Sequence, residues 1–393
     1  MRAYSAASEE AVRARDLMKD WAGEGFLTPA QYQRMEQETV CDLRRTNIFL
    51  RLVLFLFTLI ILGAAAALFF VVFLSPPSAQ TTSVFLLIFA AMTYGAAEFA
   101  VSRFRLFRYG IEEALAACSV GFLCVGMQAA LSSGTDFLVP AAGVIASLWI
   151  WHRFGLPYAF LAAMIFVIWL SGHWTSSHAA QHVIVAAFYG AGLIAVAAAR
   201  SRHRFTYLNQ GYSIVEALLW LGIYLAINLH LSSVDLLRQW WVGPLTTTEF
   251  PRTFYWATWV LIWCFPPSIL ARGVRRKDRF VIAVGAMAAI LTLVTNKPYL
   301  GWQRHTWDPM LLGALLIGAA LLIRRRLAAG PGGIRHGFTA QRLSGKDKHW
   351  MNVGSAALGL VTTQAITPSP QPVTPDVHFG GGDSGGGGAT SDF

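Results

Sequence analysis

Charge is scarce in this chain. Asp, Glu, Lys and Arg make up 13% of its 393 residues, against about 25% in soluble globular domains, which excludes one large water-soluble domain. Cysteine is nearly absent too. Cys41, Cys118, Cys124 and Cys264 show neither a disulfide framework nor a metal-binding spacing and read as small apolar fillers. Also missing are Gly-x-x-x-x-Gly-Lys, His-Glu-x-x-His and Gly-x-Ser-x-Gly, so nothing points to an enzyme, a cofactor or a bound metal. A cleavable signal peptide is not expected, because residues 1–46 are polar and the first apolar run is too long for an h-region. That run is expected to act as an uncleaved insertion signal.

What is abundant is apolar sequence, 55% of residues, gathered into ten runs near the ~20 residues that ~30 Å of hydrocarbon requires of a helix. They lie at 52–74, 83–101, 111–131, 137–151, 156–172, 182–199, 212–231, 254–270, 280–296 and 309–323. The expected fold is all-α, a polytopic transmembrane bundle of about ten spans. The fourth run is the weakest, being short and holding Pro140. Of the 31 Lys and Arg, only Arg238, Arg252, Lys297 and Arg304 fall on one side of the alternation. The rest share the other side, in Arg44 and Arg45, Arg103/Arg105/Arg108, Arg153, Arg200/Arg202/Arg204, the Arg272 to Arg279 loop, Arg324 to Arg326 and the two terminal segments. Flanking Lys and Arg stay in the cytoplasm, so both termini are expected inside. The net charge of +10 then follows from topology and anionic headgroups, with the bilayer as partner and no nucleic acid.

Two segments flank the ten-span domain 47–326. Residues 1–46 read as a cytoplasmic amphipathic helical hairpin. Ala14, Leu17, Met18 and Trp21 form one apolar stripe, Gly23 and Gly25 break the chain, and Thr28-Pro29-Ala30-Gln31 restarts it with an N-cap, a Pro at the first position and a capping box. The second helix is expected to run into Arg44 and Arg45. So small a hairpin is expected to pack on the cytoplasmic loops or on a partner. Residues 327–393 lose periodicity and pass through Pro368, Pro370, Pro372 and Pro375 into a Gly-rich end, a composition that reads as a disordered tail.

Two resemblances attach to these segments. Phe379-Gly-Gly-Gly-Asp383-Ser384, closing on Asp392-Phe393, is similar to the glycine-rich, aromatic-ended tails of several bacterial envelope protein families, which implies a solvated tail or capture of Phe393 and its carboxylate by a partner. Trp21-x-x-x-Gly25-x-Leu27-Thr28 before a capped helix and many spans resembles bacterial "predicted membrane protein" families of unknown function that set a helical hairpin before a polytopic bundle. That likeness implies an inner-membrane location and no assigned chemistry.

Inside the bundle, Tyr109-x-Ile111-x-Glu113-Ala114-Leu115 recurs as Tyr212-x-Ile214-x-Glu216-Ala217-Leu218, and Tyr94-Gly95-Ala96 as Tyr189-Gly190-Ala191. Both matches shift by four spans, which preserves orientation and would make a parallel repeat. Acids in apolar runs persist for a reason. Glu98, Glu112, Glu113 and Glu216 all lie near the basic boundary, where they can snorkel to water or pair with Arg103, Arg105 or Arg204. Alternatively the repeat-related Glu113 and Glu216, with Glu98, form a proton- or cation-coupling site across the bundle. On the far side, His173, His178 and His182 have loose metal spacing but no carboxylate beside them, and read as interfacial. Ser232 to Trp241 reads as a capped interfacial helix, and Trp302 and Trp307 extend an aromatic belt. Pro266-Pro267 is expected to end its helix before the basic loop. The function these features favour is a non-enzymatic membrane scaffold or assembly factor that engages a protein partner through residues 1–46 or the tail. The rival is a secondary transporter using Glu113, Glu216 and Glu98.

Overall fold

The computed structural model describes residues 3–23, 25–39, 41–73, 78–131, 135–202, 206–231, 250–302, 305, 307–331, 334–335 and 338–339. Among them stand twelve helices: α1 Ala6–Gly23, α2 Pro29–Glu38, α3 Ile48–Phe73, α4 Ala79–Phe104, α5 Ile111–Ala130, α6 Leu138–Phe154, α7 Pro157–Trp174, α8 His178–Arg202, α9 Thr206–Ile227, α10 Arg252–Arg276, α11 Arg279–Tyr299 and α12 Asp308–Ala328. A short antiparallel pair, β1 Ile334–Arg335 with β2 Phe338–Thr339, follows α12 and packs on it. It lies within the stretch read as disordered from composition. Residues 340–393, including the glycine-rich tail, and the Ser232 to Trp241 segment lie outside the described residues.

Seven helices, α3, α4, α5, α7, α8, α10 and α11, are long and apolar enough to cross a membrane, and two shorter apolar segments, α6 and Gly211–Ile227 of α9, accompany them. A bilayer interior offers backbone groups no water, so spanning segments must satisfy them within helices. The chain is a multi-pass membrane protein.

The helices pack as four antiparallel hairpins, α4/α5, α6/α7, α8/α9 and α10/α11. Every hairpin turns at the same, basic end. Left-handed residues reverse the chain there, with φ of 52° at Arg105, 70° at Gly155 and 54° at Lys277. Neighbouring hairpins meet through α5 on α6, α7 on α8 and α9 on α11. One hydrophobic core lies between α7, α8 and α9, where Phe160, Met164, Val185, Tyr189, Leu219 and Ile223 interlock. Gly222 makes that contact possible, since a Cβ there would run into the Met164 and Tyr189 side chains. Two helices are peripheral. α3 packs chiefly on α5 and reaches α4 by stacking Phe69 on Phe85, with Phe57 and Ile60 exposed, and α12 buries no residue. In a bilayer these faces meet acyl chains.

Three expectations need correction. Pro266 and Pro267 do not end their helix, because α10 continues to Arg276. Pro266 lacks the amide hydrogen that Ile262 O would accept, and Thr292 Oγ1 on α11 donates to that oxygen instead, at 2.9 Å. The second helix of the N-terminal hairpin stops at Glu38 rather than running into Arg44. The Thr39 N–H returns to Met35 O at 3.0 Å, and Arg15 Nε on α1 donates to Thr39 O at 3.1 Å. On α1, Met18 and Val12 are buried while Leu17 and Trp21 of the expected stripe stay exposed. The start of α2 matches its sequence: Thr28 and Gln31 exchange both bonds of a capping box, with Pro29 at the first position.

Candidate functional site

The charged side chains that enter the bundle converge at its basic end. Gly110, at φ 105°, stands where a Cβ would collide with the Arg51 carbonyl oxygen, so only glycine lets the start of α3 cross the start of α5 here. That crossing brings Arg51 to Glu113. Arg51 Nε donates to Glu113 Oε2 at 2.9 Å and Nη2 to Oε1, a two-pronged pair with the carboxylate buried. The adjacent Glu112 is buried as well. Its Oε1 accepts the Tyr109 N–H at 2.7 Å, and its Oε2 is enclosed without a hydrogen-bond partner.

A second pair joins two hairpins. Arg153, late in α6, reaches Glu98, late in α4, through Nε at 2.6 Å and Nη2 at 2.8 Å. Tyr94 donates its hydroxyl to Glu98 Oε1 at 2.8 Å and accepts the Trp149 indole N–H at the same distance. A third cluster centres on Glu216 of α9. Arg272 Nε reaches its Oε1 at 2.6 Å, Arg200 Nη1 its Oε2 at 3.0 Å and Arg276 Nη1 its Oε2 at 3.3 Å. Arg200 also reaches Asp278 in the α10–α11 turn at 3.2 Å, and the Ser213 hydroxyl donates to the same carboxylate. Glu216 and Asp278 are buried while Arg272 and Arg276 reach the surface, as long side chains do at a membrane boundary.

The N-terminal segment closes over this end. Ala3 N–H donates to Arg153 O at 2.8 Å, and Tyr4 is buried among Ala97, Leu106 and Phe154, edge-on to Phe107 at 4.9 Å. Burial pushes the Tyr4 phenol far above its ordinary range. Further on, Arg44 N–H donates to Arg105 O at 2.9 Å and Phe107 N–H to Arg44 O at 3.0 Å, a parallel bridge onto the α4–α5 connection. Asp16 pairs with Arg45 at 2.9 Å and Asp42 pairs with Arg105.

Glu98 is paired with Arg153, Glu113 with Arg51, and Glu216 with Arg200, Arg272 and Arg276. Among the described residues their arginines are Arg51, Arg153, Arg200, Arg272 and Arg276, not the expected Arg103 or Arg105; the expected Arg204 lies outside the described residues. Reading the sequence alone missed Arg51, Asp278 and Tyr4. Arg51 at the border of the first apolar run, and Asp278 as the lone acid of a basic loop, were the available signals. At the opposite end His178 opens α8, while His182 is buried with Nδ1 2.6 Å from Ala226 O and rings of Phe250 and Phe254 about it. No group of three or more metal-ligating side chains stands together among the described residues. That end also holds a polar network the sequence did not reveal: Asn228 Nδ2 donates to the Tyr224 hydroxyl and to Thr295 Oγ1, each at 3.0 Å, and Tyr224 meets Thr292 at 2.8 Å. No family model, no curated protein and no solved structure matches this chain.

Proposed function

We propose that the chain is a non-enzymatic scaffold or assembly factor, spanning a bacterial inner membrane about ten times with both termini in the cytoplasm. The sidedness of Lys and Arg and the likeness of layout to bacterial families of unassigned chemistry support the placement. The observation that carries the scaffold reading is on the N-terminal hairpin. Leu17 (42% exposed), Trp21 (44%) and Phe26 (73%) present large apolar side chains outside the spans, a pattern typical of a docking surface. The neighbouring charges decide between partners. Glu9, Glu10, Asp16 and Asp20 outnumber Arg13, Arg15 and Lys19 on α1, which disfavours an anionic membrane surface and favours a protein. The tail ending in Phe393 is the second segment proposed to reach a partner. Transport through Glu113, Glu216 and Glu98 gains no support from carboxylates already neutralised by arginine.

The test is quantitative mass spectrometry of what co-purifies with the full chain in native-lipid nanodiscs. A near-stoichiometric protein is expected with the wild type and about tenfold less or lower with Leu17→Ser/Trp21→Ser/Phe26→Ser, at unchanged melting temperature. Absence of any such protein from the wild type, or equal recovery with the triple variant, would overturn the reading.

A further inference from the structure

Two consecutive carboxylates are buried at the start of α5, and one guanidinium serves them. Arg51 is engaged by both oxygens of Glu113. Glu112 beside it is 1% exposed, with Oε1 held by the Tyr109 N–H and Oε2 enclosed and unpartnered. The titratable groups that act on it are Glu113 on α5, Arg51 on α3, Tyr4 of the N-terminal segment and Tyr158 on α7, while Arg108 acts in turn on Glu113 and Tyr4. Arg51 is the cation of this group that acts on Glu112, and its hydrogen bonds go to Glu113.

The internal sequence match adds a second, independent observation. Aligning Tyr109-x-Ile111-x-Glu113 with Tyr212-x-Ile214-x-Glu216 puts Glu112 in register with Val215, which is fully buried in the α7–α8–α9 core. Where the matching position of α9 carries a hydrocarbon side chain, α5 carries a carboxylate that is 1% exposed. A full negative charge with a bare oxygen is costly in such a place. A proton on Oε2 removes the charge and leaves the Tyr109 bond to Oε1 intact.

We propose that Glu112 is a proton-binding site, a carboxylic acid carrying its proton on Oε2 beside the docked Tyr4. The ligand is the proton itself, since no third metal-ligating side chain joins Glu112 and Glu113 among the described residues. The site is independent of the partner-binding reading above.

Infrared spectroscopy of the full chain in nanodiscs of ether-linked lipid at neutral pH tests this, because protonated carboxyl groups absorb in a C=O stretching region that ionised carboxylates and ester-free lipids leave empty. The wild type is expected to show such a band, Glu112→Gln to lose it, and Glu112→Asp to displace it; the Asp variant serves where the Gln variant does not fold. A wild-type spectrum with no carboxylic acid band overturns the proposal whatever the variants do. So does a band that stays in place in either variant that folds.

Discussion

Arg51 and Glu113 come from positions 62 residues apart and meet through two bonds at the crossing that Gly110 permits. The Glu113 side chain is 4% exposed and that of Arg51 27%, so this pair is closer to a buried salt bridge than a surface one. Losing one member of a buried pair leaves an uncompensated charge and costs about 3–5 kcal/mol, whereas exchanging both for apolar residues is close to neutral. Arg51→Met is therefore expected to destabilise by about 3 kcal/mol, and Arg51→Met/Glu113→Leu to recover most of that loss. Denaturant unfolding of the purified protein measures both. If the single and double variants lose stability additively, the pair does not hold α3 to α5.

At the scale of the element, α10 shows how a helix survives two prolines. Ile262 O, left without its amide, is served by Thr292 on α11, whose one hydroxyl proton is shared between Ile262 O and Ala288 O at 2.9 Å each and whose oxygen accepts from Tyr224. Thr292→Val orphans that buried carbonyl and is expected to cost about 1–3 kcal/mol. In a Pro266→Ala background the restored amide can bond Ile262 O within the helix, so the same Thr292→Val substitution is expected to cost less. Thermal unfolding of the four proteins gives the coupling, and an equal penalty in both backgrounds would show that Thr292 does not serve that carbonyl. The same element marks what a linear reading can reach. Long apolar runs and the Thr28 capping box are local signals, and α3 to α11 and α2 follow them. The continuation of α10 is not local, because its remedy lies on another helix. Likewise, the boundary position of Glu113 and Glu216 was legible, but Arg51 and the Arg200–Asp278 bridge required knowing which helix ends meet. Leu17 and Trp21 fitted a helical stripe, yet α1 turns Met18 and Val12 inward, a choice made by its packing on α2 and α9.

Taken as a whole, the molecule uses its basic residues twice. Arg153, Arg200, Arg272 and Arg276 belong to the cationic set that, on the proposed topology, orients the chain in the bilayer, and the same four guanidiniums hold Glu98, Glu216 and Asp278 between hairpins. Orientation and packing are then tied to one end of the bundle, where the N-terminal segment also docks through Ala3, Tyr4 and Arg44. On the topology proposed above, that end faces the cytoplasm, and an even number of spans returns the tail to the same side. Single cysteines placed in a background free of the four native ones separate the alternatives. With a membrane-impermeant maleimide, Glu10→Cys, Ser102→Cys and Ser384→Cys are expected to label in inside-out vesicles and to be protected in intact cells. Ser176→Cys, in the exposed α7–α8 connection at the opposite end, is expected to behave in reverse. Labelling of Glu10→Cys and Ser384→Cys from opposite sides would require an odd number of spans. It would leave α12, which ends in Arg324, Arg325 and Arg326 and buries none of its residues, as the helix to remove from the membrane.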